Sequence, residues 1–147
     1  MNHAVAVDAS VAVKWAVAED FTDRAQALLG DSLRASRPVI APPHFPGEVV
    51  NAIHRRTQRS EQPLRSVQAA QAVQEFFEYP VELLSPADLH WQAFTFAQTH
   101  ALATIYDSLY VVFAQLLDVE LWTADERLLR ALGDAAPWVR FIGDYSN

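Results

Sequence analysis

The chain has no cysteine and only four glycines among its 147 residues. The lack of cysteine excludes disulfides, thiolate metal sites and cysteine nucleophiles, and it fits a cytosolic protein. The scarcity of glycine argues against a dinucleotide-binding loop or a P-loop. No uncharged apolar run is long enough to cross a bilayer, and Asp8 and Lys14 interrupt the apolar start of the chain. We therefore expect neither a membrane-spanning helix nor a signal peptide.

The remaining composition is that of an ordinary globular domain, with 51% hydrophobic and 20% charged residues. The length suits a single domain over residues 1–147. The net charge of −7 argues against a nonspecific nucleic-acid binder. Basic residues nevertheless concentrate in one short stretch, which contains Arg55, Arg56, Arg59 and Arg65. That stretch is either a solvated helix face, which composition alone favours, or a rim that contacts phosphates.

Short apolar segments alternate with helical patterns along the whole chain. We predict strands at 4–7, 38–41, 81–84, 119–122 and 139–142, and helices at 11–17, 21–33, 46–59, 64–77, 87–100, 105–117 and 126–132. Strands that are separated by helices imply crossover connections. We therefore predict the α/β class, as a single-domain α/β/α sandwich with a mostly parallel sheet of four to five strands.

Four acidic residues lie where such a sheet would bring them together. Asp8 ends the first strand, Asp125 follows the fourth, Glu48 opens the helix after the second, and Asp107 lies at the start of the helix that leads to the fourth. Ligands of open parallel sheets bind beyond the carboxyl ends of the strands, so the four carboxylates should converge at this edge. Carboxylates that converge repel one another unless a cation lies among them, and Mg²⁺ suits such oxygen ligands.

Each acid also has a simpler interpretation as a helix cap or as a favourable charge in a first helical turn. Residues 104–107 and 123–126 both match capping boxes. In the second box Thr123 would be the cap and Glu126 its reciprocal partner, which leaves Asp125 free for another role. Ser10 could orient a water or a phosphate oxygen, or form a local turn. Asn51 lies one helical turn after Glu48 and shares its face.

Two helical segments and the histidines allow more than one interpretation. In 87–100 one apolar face contains Leu89, Ala93, Phe96 and Ala97, whereas Trp91 and Phe94 point elsewhere; they either fill the core or form a dimer or partner surface. In 64–77 the predicted apolar stripe consists of Leu64, Val67, Ala70, Val73 and Phe77. His44, His54, His90 and His100 lack close metal-ligand spacing, and we interpret most of them as surface or loop residues.

Four segments in this order resemble a known family over nearly the full length. They are Val7–Val11 with Lys14-Trp15, Ala41-Pro42-Pro43 leading to Glu48–Ile53, Tyr106–Tyr110, and Thr123–Leu128. With these segments the chain resembles PIN domains, and specifically the VapC-type ribonuclease toxins. It departs from the family pattern at Ser108, where alanine is frequent, and at Ala101, where a glycine often precedes the helix.

The resemblance implies a PIN-like fold and an endoribonuclease that depends on Mg²⁺ or Mn²⁺. It implies that Asp8, Glu48, Asp107 and Asp125 form the acidic set, with support from Ser10, Asn51 and Thr123. It also implies a homodimer and a small antitoxin protein that binds the site and inhibits it.

From these observations we predict RNA cleavage by a metal-activated water. Asp8 and Asp125 are the best candidates for direct metal ligands, and Glu48 or Asp107 would complete the shell or orient the water. Candidate RNA contacts are Lys14, Arg55, Arg56 and Arg59. One alternative is a Mg²⁺-dependent phosphatase of the haloacid-dehalogenase type, which expects a second aspartate where Ser10 stands. The other is a PIN-fold binding module without catalytic activity.

Overall fold

A five-stranded parallel sheet lies at the centre of the computed structural model, which describes residues 3–146. Its strands are β1 (Val5–Val7), β2 (Val39–Ala41), β3 (Val81–Leu83), β4 (Leu121–Thr123) and β5 (Val139–Phe141). Their order across the sheet is β3-β2-β1-β4-β5, and every neighbouring pair is parallel. The predicted α/β fold with a parallel sheet is confirmed.

Within the described part of the chain, seven α-helices connect and cover the strands. They are α1 (Ala9–Ala16), α2 (Thr22–Arg34), α3 (Phe45–Thr57), α4 (Ser66–Phe76), α5 (Leu89–His100), α6 (Ile105–Leu116) and α7 (Glu126–Leu132). For each of these seven helices, the predicted first and last residues lie within two residues of the observed ones. None of the helices between residues 3 and 146 combines the length and apolar character needed to span a bilayer.

The core is formed by the three central strands, β1, β2 and β4, and by the helices α1 and α6. All residues of β1, β2 and β4 are buried, as expected of parallel strands that are covered on both faces. In α6 the run from Ser108 to Ala114 is buried without interruption, and Trp15 of α1 donates its indole N–H to the carbonyl of Ala25. Because α1 and α6 are packed into the core, their first residues are fixed at one edge of the sheet.

The outer helices agree only partly with the predicted apolar faces. In α5, Leu89, Ala93 and Ala97 of the predicted face are buried and Phe96 is partly buried. Trp91 and Phe94, for which the core and the surface were both open, are exposed. In α4 the buried residues are Ala72 and Phe76, whereas Val67 and Phe77 of the predicted stripe are exposed. The stripe was wrong at Val67, Ala70 and Phe77, whereas Leu64 and Val73 do pack against the core. The packing of α4 against α1 and α3 decides which face is buried, and the periodicity of one helix does not contain this contact.

The end of α5 has a strained backbone. Ala101 is the C-terminal cap of this helix and adopts φ 51° and ψ 42°, the left-handed conformation. Helices commonly end in this way with glycine, because a Cβ atom is disfavoured there. The alanine found at this position is therefore the residue that bears the strain.

Candidate active site

The four predicted acids lie at the edge of the sheet where the strands end. Asp8 follows β1 and caps α1, and Asp125 follows β4 and caps α7. Glu48 and Asp107 lie in the first turns of α3 and α6. A negative side chain is favourable at the N-terminus of a helix. Because these four helices all start at the same edge of the sheet, the acids at their N-termini lie at that edge.

Asp8 is the best fixed of these acids. Its side chain is buried, with 5% of the residue exposed. Oδ1 accepts hydrogen bonds from Ser10 Oγ at 2.5 Å and from the amide of Val11 at 3.2 Å, and Oδ2 accepts one from Thr123 Oγ1 at 2.5 Å. A carboxylate offers about four acceptor positions, so these bonds lock its orientation and leave acceptor capacity.

Ser10 and Thr123 connect the ends of β1 and β4 around Asp8. Ser10 Oγ also accepts from the amide of Ala124 at 2.8 Å, and Thr123 Oγ1 accepts from the amide of Asp125 at 3.0 Å. The two hydroxyl oxygens lie 3.3 Å apart. Because each hydroxyl has a single proton and gives it to Asp8, both act as donors to the carboxylate and acceptors from the backbone.

The interpretation of residues 123–126 as a capping box was wrong. Thr123 is the last residue of β4, and the cap of α7 is Asp125, whose Oδ1 accepts from the amides of Arg127 and Leu128 at 3.0 and 3.2 Å. Thr123 cannot cap because pairing with Phe141 of β5 keeps it in the strand. The other box is confirmed in its first half, since Thr104 accepts from the amide of Asp107.

The carboxylates influence one another electrostatically. Burial raises the pKa of Asp8 to about 6, against its hydrogen bonds, and the charge of Asp125 adds to the rise. Burial likewise raises the pKa of Glu48 to about 6, with contributions from Asp8 and Asp107. The pKa of Asp107 is raised by burial and then by Asp125. The four acids therefore form one electrostatic unit, as carboxylates that share a site do.

Glu48 has two further neighbours that the sequence argument missed. Tyr110 donates its hydroxyl to Glu48 Oε2 at 3.4 Å, and His44 Nε2 lies 3.4 Å from Glu48 Oε1 without hydrogen-bond geometry. Burial lowers the pKa of His44 and raises that of Tyr110. The i,i+4 spacing of His44 and Glu48 was the available signal, because residues so spaced share a helix face.

The predicted basic residues fall into two groups. Lys14 is buried, and Glu19 accepts from its Nζ at 3.1 Å and from Arg56 Nε at 2.8 Å. These two cations therefore stabilise the packing of α1 against α3. Arg55 is exposed on α3, Arg59 is exposed two residues beyond the end of that helix, and Asn51 is exposed one turn after Glu48.

The acidic side chains suit a divalent cation that keeps most of its water ligands better than one that is coordinated by protein groups alone. Within residues 3–146, no group of three or more histidine, aspartate or glutamate side chains is arranged to hold a metal ion. Mg²⁺ keeps several waters and needs only one or two direct carboxylates. Asp8, with its remaining acceptor capacity and raised pKa, fits this requirement, since a cation would offset the repulsion from Asp125.

Comparisons with known proteins agree with this geometry. A family model, the PIN domain, matches residues 5–133, so the chain belongs to the PIN domain family. The crystal structure of PAE2754 from Pyrobaculum aerophilum superposes with a TM-score of 0.67 at 19% sequence identity, covering 97% of this chain and 93% of that chain. At this identity the likeness concerns the fold. No curated protein matches the chain significantly.

PIN domains are generally nucleases and typically use divalent metals, which supports a hydrolase that acts on nucleic acid. The acidic edge formed by Asp8, Glu48, Asp107 and Asp125 is where such an activity would lie on this fold.

Proposed function

We propose that this protein is a Mg²⁺- or Mn²⁺-dependent endoribonuclease and the toxin of a type II toxin–antitoxin pair of the VapC type. The observation that carries the proposal is the electrostatic unit of four acids on a PIN fold, centred on the buried and tightly hydrogen-bonded Asp8. A carboxylate that only capped α1 would not need the burial of Asp8 or its charge interactions with Asp125 and Glu48.

In this mechanism Asp8 and Asp125 would hold the cation, and Ser10 and Thr123 keep Asp8 in place. A cation held there would supply positive charge that offsets the phosphate and favours ionisation of a water. Water attacks phosphorus in line as the P–O bond to the leaving ribose oxygen breaks, and that oxygen takes a proton from solvent. Glu48 takes up the proton of that water, because burial raises the pKa of its carboxyl group towards that of a general base and Tyr110 orients its carboxylate.

The biological setting of the proposal follows from the resemblance. A small antitoxin would cover the acidic edge, and the enzyme would act on RNA in the cytoplasm. Homodimerisation would use an apolar surface, for which the exposed Trp91 and Phe94 of α5 are candidates.

The test is cleavage of defined RNAs, with end mapping, in the presence and absence of Mg²⁺. We expect Asp8→Asn and Asp125→Asn to reduce cleavage to below about one hundredth, since changes in residues that only orient metal ligands already cost about 10- to 100-fold. Asp134→Asn, which removes an exposed carboxylate elsewhere, is the matched control and should cleave normally. Circular dichroism would establish that each variant is folded.

Equal cleavage by chelator-treated and metal-loaded enzyme would overturn the mechanism. Metal binding without cleavage of any RNA would favour the binding-module alternative. The phosphatase alternative has lost its support, because the chain belongs to the PIN family and Ser10 donates to Asp8 where that chemistry expects a second carboxylate.

A further inference from the structure

A groove runs from the acidic edge along α3. It has a volume of about 520 Å³, within the range of small-ligand sites, and its polar and aromatic lining includes Ser10, His44, Glu48, Asn51, Arg55 and Tyr106. Ser10 and Glu48 belong to the candidate active site, so whatever fills the groove lies next to the acids. Neither His44 nor Tyr106 has a role in the mechanism above.

Tyr106 is unusual among the tyrosines of this chain. It is 59% exposed, whereas Tyr110 and Tyr145 are buried and Tyr79 is half-buried. Exposure of a large aromatic ring has no packing benefit, and beside a groove it offers a surface for a planar ligand.

His44 holds this ring in place from inside the groove. Its ring centroid lies 5.6 Å from that of Tyr106, with the planes tilted by 42°, and 4.6 Å from that of the buried Tyr110. The exposed ring is thus anchored through a second aromatic to the core. A ring that is held this way loses little conformational freedom when a ligand stacks on it.

The polar groups of the groove match a nucleotide. Tyr106 and Glu48 line the same groove, and His44 lies between them, 5.6 Å from the Tyr106 ring centroid and 3.4 Å from Glu48, so a base stacked on Tyr106 would lie beside the acids where the phosphate is cut. Arg55 lies seven residues after Glu48 on the same face of α3, about 10 Å further along the helix axis. It offers an exposed cation to a neighbouring phosphate, and Asn51 between them offers amide donors and acceptors.

We propose that Tyr106, anchored by His44, is the stacking platform for one unpaired base next to the scissile phosphate. This inference rests on the proposed ribonuclease function and adds a binding subsite to it. Bases inside a duplex are stacked on their neighbours, so they cannot reach this ring without being unpaired.

The experiment combines a protein variant with a substrate variant. A short single-stranded RNA with a mapped cleavage site is compared with RNAs that lack the base on one or the other side of the scissile phosphate. We expect Tyr106→Ala to lower kcat/KM on intact RNA about 5- to 150-fold, mainly through KM, which corresponds to the usual contribution of one stacked base. Removal of the stacked base should cost the wild type a similar factor and should cost the Tyr106→Ala enzyme less than about twofold.

Two controls separate stacking from a structural role. Tyr106→Phe and Tyr106→Trp keep an aromatic face and should retain most of the activity. Phe77→Ala removes a ring that is 62% exposed outside the groove and should cleave like the wild type. If Tyr106→Ala lowers cleavage equally on intact and base-lacking RNAs, it has only displaced Asp107, and the inference is overturned; equal behaviour of Tyr106→Ala and Phe77→Ala also overturns it.

A binding measurement distinguishes failure of the inference from failure of the proposed function. RNA with 2-aminopurine at the stacked position is titrated into the Asp8→Asn protein with Tyr106 intact or replaced by alanine. Quenching that depends on Tyr106, in a protein whose wild type cuts no RNA, would refute the ribonuclease and leave the stacking subsite standing. If the wild type cleaves RNA but quenching does not depend on Tyr106, the stacking subsite is refuted and the ribonuclease function stands.

Discussion

Without divalent cations, Asp8 should make the protein less stable as the pH rises. Its pKa of about 6 in the folded state lies above the usual 3.8, so between these values the folded protein binds more protons than the unfolded chain. Under that condition the free energy of unfolding falls with increasing pH. The full effect, well above pH 6, is roughly 3 kcal/mol, since each pKa unit corresponds to about 1.36 kcal/mol.

The accessible part of this effect lies between pH 5 and 7.5. Integration over that range gives a loss of roughly 1.4 kcal/mol, which for a domain of this size is about 3–6 °C in Tm. His44 opposes the trend, because its lowered pKa makes protonation at low pH unfavourable. The quantity to compare is therefore the wild type minus Asp8→Asn, in which the contribution of His44 cancels.

The assay is urea unfolding of both proteins in chelator across this pH range, with Asp134→Asn as a second reference. The difference in unfolding free energy between wild type and Asp8→Asn should become less favourable to the wild type by about 1.4 kcal/mol from pH 5 to 7.5. Excess Mg²⁺ at pH 7.5 should restore it, because a ligand that binds only the folded state stabilises that state. A difference that is independent of pH, or that grows in favour of the wild type, would refute the electrostatic reasoning.

Two further predictions concern stability away from the acids. Ala101→Gly should raise the free energy of unfolding by about 0.5–1 kcal/mol, because relief of the left-handed alanine exceeds the added entropy of the unfolded chain; unchanged or lower stability in urea unfolding would contradict this. Glu19→Gln should lower it by about 3 kcal/mol, because Lys14 and Arg56 then lose their common anion in a mostly buried setting. If Glu19→Gln lowers the free energy of unfolding by less than about 0.5 kcal/mol, these ion pairs contribute no more to stability than exposed ones do.

Local patterns were sufficient for the elements and for the edge at which the acids meet. Short apolar runs next to Pro38 and Pro80 gave the positions of β2 and β3, and α7 was predicted with its observed bounds. Asp8 and Asp125 turned out to be both helix caps and members of the acidic unit, so the two interpretations were not exclusive.

What the sequence could not reveal depends on contacts between distant segments. Thr123 matched a capping motif, yet its pairing with β5 and its bond to Asp8 decide its role. Arg56 looked like a free cation because its partner Glu19 lies 37 residues away, and Lys14 did so because Glu19, five residues on, lies beyond the end of α1. Spacing along one helix cannot show such partners, since they depend on how the helices pack.

The position of β1 in the middle of the sheet has a consequence for synthesis on the ribosome. The first strand to emerge can pair with β2 early, but its other neighbour is made near the end of translation, and the bond between Thr123 and Asp8 spans 115 residues. At usual elongation rates the delay is on the order of ten seconds. Nascent fragments therefore cannot complete the acidic edge until β4 and Asp125 have been made.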